Sequence, residues 1–405
     1  MRCRTVDHTC RGVRVLTRAA VRRIVTIGIA GLVASAALAV PTAAAPAEHD
    51  GVTHREFTAK AGGRPVEGDV VEVDLTRPGV RVTLLDSGIV ASRATVTDMA
   101  NDVGAVAAIN GDFFDIGRSS AAAGPAVRDG RALKAAVPQG RRAAPPVAGA
   151  ETDYAFTIGD DGAARVDRLR LEATVRAPQA EWPAVALNQH AVPVDGIGIF
   201  TNVWGDYDRA RTLCGTDEDP TAPCASDRVE VLVRDGAVAS TGSPQGGALK
   251  PGEIALVGRD AGAGRLSSLK AGDAVQVDYA LVAESGVAPK FAVGGMPIVR
   301  EGEPIDNPIA NRERAPRSAV GLSADGKTVT FVTVDGRQTD SGGMTLPEFA
   351  RQIAKMDIHT AVNLDGGGSS TLVYREPGAS RVEIVNDPAN KTPRLVSNSL
   401  GVSIG

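Results

Sequence analysis

Residues 345–375 read TLPEFARQIAKMDIHTAVNLDGGGSSTLVYR, which sets a helix, a strand and a glycine-rich loop in direct succession. Thr345 stands as the N-cap and Pro347 falls in the first turn. Glu348 occupies the third helical position, from which its carboxylate can return to the cap. Leu346, Phe349, Ile353 and Met356 give the helix one apolar face. The run HTAVNLD then predicts a buried strand that stops at Asp365. Gly366, Gly367 and Gly368 follow, and then Ser369 and Ser370. A plain hairpin turn needs one or two glycines. Three in a row suggest either a long flexible loop or bare backbone that another group approaches closely.

Two other apolar runs upstream end in the same abrupt way. AAIN runs into Gly111, Asp112, Phe113 and Phe114, and FVTV runs into Asp335, Gly336 and Arg337. Each Asp-Gly alone reads as a hairpin turn. Three such ends, two of them carrying Asn or Arg as well, would face one pocket if their strands are neighbours. That pocket would hold Asn110, Asp335, Arg337 and Asp365. In NRERAPRS, Arg312 and Arg314 read as a solvated loop, whereas Arg317 enters the strand SAVGL directly. Arg317 and Arg337 could then grip a phosphate or carboxylate, with backbone N–H groups of Gly366–Gly368 adding donors.

The rest of the chain is read mostly as strands. VVEVDL and VRVTLL alternate, SRATVTDMANDVG is a short helix capped by Ser92 or Thr95, and SAVGLSADGKTVTFVTVDGR is a hairpin. Strand-like segments punctuated by DDG and RDG turns fill the middle of the chain. The expected fold is α+β, with a mixed β-sheet core, a few packed helices and a β-rich middle region. Residues 48–69 are read as a lead-in, and residues 70–405 as one domain with an elaboration at about 137–290.

Composition narrows the class. Of 405 residues, 43% are hydrophobic and 23% charged, which suits a packed core. The net charge of −4 and the lack of a basic patch in the mature chain argue against nucleic acid as a partner. Arg11, Arg14, Arg18, Arg22 and Arg23 precede an apolar stretch from Ile24 to Val40, shorter than a comfortable span of about 20 residues. Ala45-Pro46-Ala47 fits a cleavage site. A signal peptide over residues 1–47 and a secreted or extracytoplasmic product are expected, with no stable membrane insertion after cleavage. An uncleaved anchor is the alternative. Cys3 and Cys10 would be lost with the leader. Cys214 and Cys224 remain, close together in a polar loop, and read as a disulfide.

The five histidines form no HExxH or i, i+4 pair, and no nucleophile elbow, Walker A loop or dinucleotide fingerprint is present. Zinc hydrolysis is therefore not expected.

Taken in order, AAINGDFFD, FAVGGMPIVREGE, PRSAVG, VTVDGRQTDSGGMTLPEFARQI, AVNLDGGGSSTLV and VSNSLGV resemble the motifs of the phosphodiester glycosidase family, from about Val70 to Gly405. The resemblance implies hydrolysis of a sugar joined through its anomeric carbon to a phosphodiester, a small molecule or a glycan. It implies a site of Asn110, Arg317, Asp335, Arg337, Asp365, Gly366, Gly367 and Ser369, with Gly111, Asp112, Phe114, Gly295 and Gly368 beside them. Arg317 and Arg337 would hold the phosphate, and Asp365 or Asp335 would act as base or nucleophile. Asn110 would bond a sugar hydroxyl or acetamido group. Phe113 or Phe114 would give the sugar ring an apolar face or belong to the core. No cofactor is expected, and a divalent cation is compatible with the carboxylates without being called for. The alternatives are a metal-dependent phosphodiesterase that cuts P–O through Asp112, Asp335 and Asp365, and a non-catalytic glycan-binding module.

Overall fold

Alternation along the strands decides how the layers stack. In Thr328–Val334 of the computed structural model, Val329 and Phe331 enter one apolar cluster, and Val332 and Val334 enter another on the opposite face. In Arg64–Asp74, Val71 and Val73 follow the first pair, and Val66 and Val70 the second. The structure describes residues 49–141, 151–305, 312–390 and 392–405. The expected leader at 1–47 lies outside them.

These strands belong to a seven-stranded sheet in the order Val52–Ala61, Arg64–Asp74, Thr328–Val334, Arg317–Leu322, Thr360–Asn363, Met296–Arg300 and Glu303–Pro304. Every neighbouring pair is antiparallel. The helix Leu346–Ala354 covers one face with Leu346, Phe349, Ala350 and Ile353. Its capping box closes with Thr345 N donating to Glu348 Oε2 at 3.0 Å and Glu348 N donating to Thr345 Oγ1 at 3.4 Å. Burying a side chain such as Phe349, which is 0% exposed, contributes roughly 1.5–3 kcal/mol.

The other face packs on a five-stranded antiparallel sheet ordered Glu383–Ile384, Leu372–Tyr374, Ala107–Asn110, Ser399–Ile404 and Val80–Leu85. Val71, Phe331, Val320 and Val362 of the first sheet meet Ile109, Leu372, Leu400 and Val402 of the second in one core. The helix Val96–Asp102, capped by Thr95, lies on the far side of the second sheet through Val96, Met99 and Ala100. The result is four layers, helix, sheet, sheet, helix.

The middle of the chain forms two more sheets. One runs Gln276–Ala283, Ala164–Ala177, Tyr154–Gly159, Pro289–Gly294, Ala126–Arg128, Arg131–Lys134. The other runs Ala186–Leu187, Ile197–Thr201, Glu253–Arg259, Arg228–Arg234, Ala237–Gly242. They share a core that includes Leu169, Val175, Ile197, Ile199, Val231 and Leu256. Cys214 and Cys224 are bonded to each other, and Arg141 Nη2 donates to the Cys214 carbonyl at 2.7 Å.

The fold is β-rich with few helices, 24 strands against three α-helices among the described residues, which supports the α+β expectation only in that coarser form. The strand Val52–Ala61 was not expected from VTHREFTAKA. It is a half-exposed edge strand with a polar face, so its apolar alternation is weak. The hairpin that pairs it turns on Gly62 and Gly63, with φ of +55° and +77°.

Candidate active site

Register brings the strand ends together. Val334 lies opposite Arg317, and Asn363 opposite Ala319, so Asp335, Arg317 and Asp365 leave one edge of the first sheet side by side. In the second sheet Ser399 pairs with Asn110, which puts Gly111 and Asp112 at the corresponding edge.

Asn110 fastens the two edges. Its Nδ2 donates to the Asp365 carbonyl at 2.7 Å, and its Oδ1 accepts from Ser318 Oγ at 2.7 Å and from Thr371 N at 3.1 Å. The residue is 0% exposed. The side chain expected to meet a sugar is spent on holding the loop, because a buried amide is costly unless its groups are paired. Gly111 donates its N–H to the Asn398 carbonyl and accepts from Asp365 N, both at 2.9 Å. A Cβ at Gly111 would lie 2.1 Å from Asn398 Oδ1, so the glycine makes room for Asn398 and not for a ligand.

The glycines after Asp365 have a similar reason. Gly367 has φ +61°, and a Cβ there would meet Arg337 Nη1 at 3.2 Å. At Gly368 it would meet Asn390 Nδ2 at 2.5 Å and Arg394 Nη2 at 2.6 Å, and at Gly366 the Pro316 carbonyl at 3.0 Å. Two arginine side chains therefore lie on this bare backbone, where sequence reading expected a ligand. Arg394 Nη1 donates to Ser369 Oγ at 3.3 Å, and both residues favour the ionised form of the Asp365 carboxyl. Arg337 is exposed, has φ +64°, and pairs with Glu313 at 2.8 Å. A non-glycine residue in that region is held at a cost its surroundings must cover.

Asp365 keeps partial contact with solvent yet sits deep among protein atoms. Burial, with Asp112 acting weakly in the same sense, raises its carboxyl to about 6 against the Ser369 hydrogen bond, the Arg394 charge and the Gly366 N–H. Gly366 N also donates to Asp365 Oδ1 at 3.0 Å.

Several expected contacts fall elsewhere. Arg317 is 6% exposed, and its Nε and Nη2 donate to the carbonyls of Met344 at 3.1 Å and Glu313 at 2.7 Å. Burial, with Arg337 acting in the same sense, pulls its pKa down to about 10 against the Glu313 charge. Its guanidinium anchors the loop below Arg337 and is not a second open grip.

Asp335 is 4% exposed, and its Oδ1 accepts from Asn386 Nδ2 at 3.0 Å and Asp387 N at 3.1 Å. Burial raises its pKa to about 6, helped by Asp69 and Asp387. It lines a cavity of about 550 Å³ with Glu56, Glu67, Asp69, Asn386 and Asp387.

Asp112 is 1% exposed, and its carboxylate accepts from Phe113 N and Gly124 N. Phe114 is 4% exposed and packs in the core beside Val96 and Met99, which removes it from a sugar-facing role. Phe113 packs against a small cluster of Ala123, Val137 and Ala191. Gly295 gives room to the neighbouring strand, since a Cβ there would lie 2.9 Å from Val362 Cγ2.

Sequence reading missed Arg394, Asn398, Asn386 and Lys134. Asn398 sits within the VSNSLGV motif and could have been singled out. Arg394 and Asn386 lie in loops with no periodicity to mark them. Among the described residues, no three His, Cys, Asp or Glu side chains come together as a metal-ligand set, so Asp112, Asp335 and Asp365 are not grouped around one point.

Residues 227–403 match a family model described as phosphodiester glycosidase. The N-acetylglucosamine-1-phosphodiester alpha-N-acetylglucosaminidases of Bos taurus and Homo sapiens are 47% and 46% identical to this chain over 82 residues, 20% of its length. The chain spans only 15% and 16% of the length of those relatives. A solved hypothetical protein from Synechocystis superposes with TM-score 0.69 at 20% identity, over 88% of this chain and 62% of that one. A putative exported protein from Burkholderia pseudomallei gives 0.64 at 22% identity, over 84% of this chain and 74% of that one. At these identities the two structures establish the fold alone.

Proposed function

We propose, from the match of residues 227–403 to the phosphodiester glycosidase family model, that the protein is an exported hydrolase of sugar-1-phosphodiesters. It cleaves at the anomeric carbon and gives free sugar and a phosphomonoester. A GlcNAc-1-phosphodiester is the substrate class that the curated relatives' names suggest.

The observation that carries this reading is Asp365 held beside Arg394 and next to the loop on which Arg337 lies. A phosphodiester is an anion, and two guanidinium groups over glycine backbone suit it. The leaving phosphomonoester has a last pKa of about 6, so it departs far more readily than an alcohol and needs little general acid. What the reaction still needs is a carboxylate at the anomeric carbon. Asp365 fills that place as base or nucleophile, ionised above about pH 6. Arg394 bears on both groups, steadying Asp365 through Ser369 and meeting charge on the leaving phosphate.

The test is hydrolysis of a synthetic GlcNAc-α-1-phosphodiester by the purified mature chain in ¹⁸O-water. Label in the free sugar supports cleavage at carbon. Sugar-1-phosphate as product, abolished by EDTA, would favour the P–O phosphodiesterase. Binding without any product would favour a glycan-binding module.

A further inference from the structure

A buried lysine, linked to Asp365 through Gly124, Asp112 and Gly111, has no task in the chemistry above. Lys134 ends the strand Arg131–Lys134 and is 1% exposed. Its Nζ donates to the carbonyls of Gly124, of Ala135 at 2.6 Å and of Ala123 at 3.4 Å. Three carbonyls suit an ammonium, which has three donors and no acceptor, better than a neutral amine.

The clamped segment is held from its other side by Asp112. Gly124 N donates to Asp112 Oδ2 at 2.5 Å, and Phe113 N donates to Oδ1 at 2.8 Å. The carboxylate occupies space freed by two missing side chains. A Cβ on Gly294 would lie 2.4 Å from Asp112 Oδ2, and one on Gly124 2.8 Å from it. Asp112 N donates to Asn398 Oδ1 at 3.0 Å, Gly111 N donates to the Asn398 carbonyl, and Asp365 N donates to the Gly111 carbonyl. One continuous set of bonds thus runs from Lys134 through Gly124, Asp112 and Gly111 to Asp365.

We propose that Lys134 is a positioning residue for Asp365: it fixes the Gly124 backbone and offsets the Asp112 charge. The proposal rests on the reading of Asp365 as the reacting carboxylate. Asp112 disfavours ionisation of Asp365, and Arg394 favours it. Arg337 and Arg317 lie against Gly367 and Gly366, the residues that follow it. Burial draws Lys134 down to about 7 while Asp112 holds it up. The other titratable group beside Lys134 is His190, which burial pushes down to about 4, so it is neutral at working pH. Asp115 and Arg141 bear on His190 in turn. Asp112 is thus the carboxylate whose charge holds Lys134 up, and removing Lys134 takes one compensating charge away from it.

The experiment follows the Asp365 carboxyl carbon by NMR titration, which needs no substrate, alongside the pH profile of sugar release. Lys134→Met should move the Asp365 midpoint up by about one unit. It should lower kcat below pH 7 with KM little changed, and the double variant Lys134→Met/Asp112→Asn should return the midpoint toward wild type. Should Lys134→Met fail to fold, Asp112→Asn alone should move the midpoint down. A midpoint that stays put in the folded variants overturns the proposal. Midpoints that move as expected while the wild type releases no sugar leave this coupling standing and sink the glycosidase reading instead.

Discussion

Asn110 Nδ2 donates to the Asp365 carbonyl at 2.7 Å, joining residues 255 positions apart and tying the edge of one sheet to the loop of the other. The same side chain accepts from Ser318 and Thr371, so one amide sets the height of the glycine loop above the core.

Asn110→Ala should therefore be strongly destabilising. It leaves the Asp365 carbonyl, the Ser318 hydroxyl and the Thr371 N–H without this partner, a loss of about 2–4 kcal/mol. Urea denaturation should show a lower midpoint with an unchanged slope.

The arginines should separate by role. Arg394→Ala, placed in an Asp365→Asn background to prevent turnover, should weaken binding of a sugar phosphodiester by about 10- to 100-fold with little change in Tm. Arg317→Ala should lower Tm first, because it takes one donor from each of the Met344 and Glu313 carbonyls and leaves a cavity in a buried site. Calorimetry of binding and of unfolding on both variants checks the division.

Gly368→Ala tests why the backbone is bare. The new methyl meets the far ends of two flexible side chains, Asn390 and Arg394, and not main chain. Stability should change by less than about 1 kcal/mol while KM for the phosphodiester rises, since Arg394 must swing away. Gly366→Ala presses on the Pro316 carbonyl and should cost more stability. Thermal melts with steady-state kinetics distinguish the two.

Asp335 should report on stability more than on rate. The folded protein holds its proton up to about pH 6, whereas the unfolded chain releases it near 3.8. Between those values the folded state binds more protons, so this group's contribution to stability is full below 3.8 and is lost as pH rises through about 6. Asp335→Asn keeps the acceptor for Asn386 and Asp387 and removes the buried charge. It should raise stability at pH 7.5 by roughly 2–3 kcal/mol and change it little at pH 4, as read by denaturation at both pH values.

Much of this architecture was legible in the chain. The capping box at Thr345, the hairpin around the ADG turn and the buried strand before Asp365 all follow from local pattern, and each is present. What pattern could not convey is which partner each polar group takes. Asn110, Asp112 and Arg317 sit where strand ends meet, as motif reading suggested. Their side chains are turned to the protein's own carbonyls and amides, a choice made by residues more than 200 positions away in the case of Asn110. Arg394 was unreadable for the same reason, since it matters only because Gly368 and Ser369 come to lie under it. The short helix Ala261–Leu266 escaped notice because AGAGRL carries two glycines and too few apolar residues to mark a face.

The central claim is that Asp365 carries the chemistry at the anomeric carbon. The most direct test is the initial rate of free-sugar release from a GlcNAc-α-1-phosphodiester between pH 4.5 and 8, by the wild type and by Asp365→Asn. The expected result is a wild-type rate that rises as pH passes through about 6, where the carboxyl ionises, and at least a roughly thousandfold loss in the variant at every pH. A variant that keeps the wild-type rate and the same acid limb would contradict the claim and move the reacting carboxylate elsewhere.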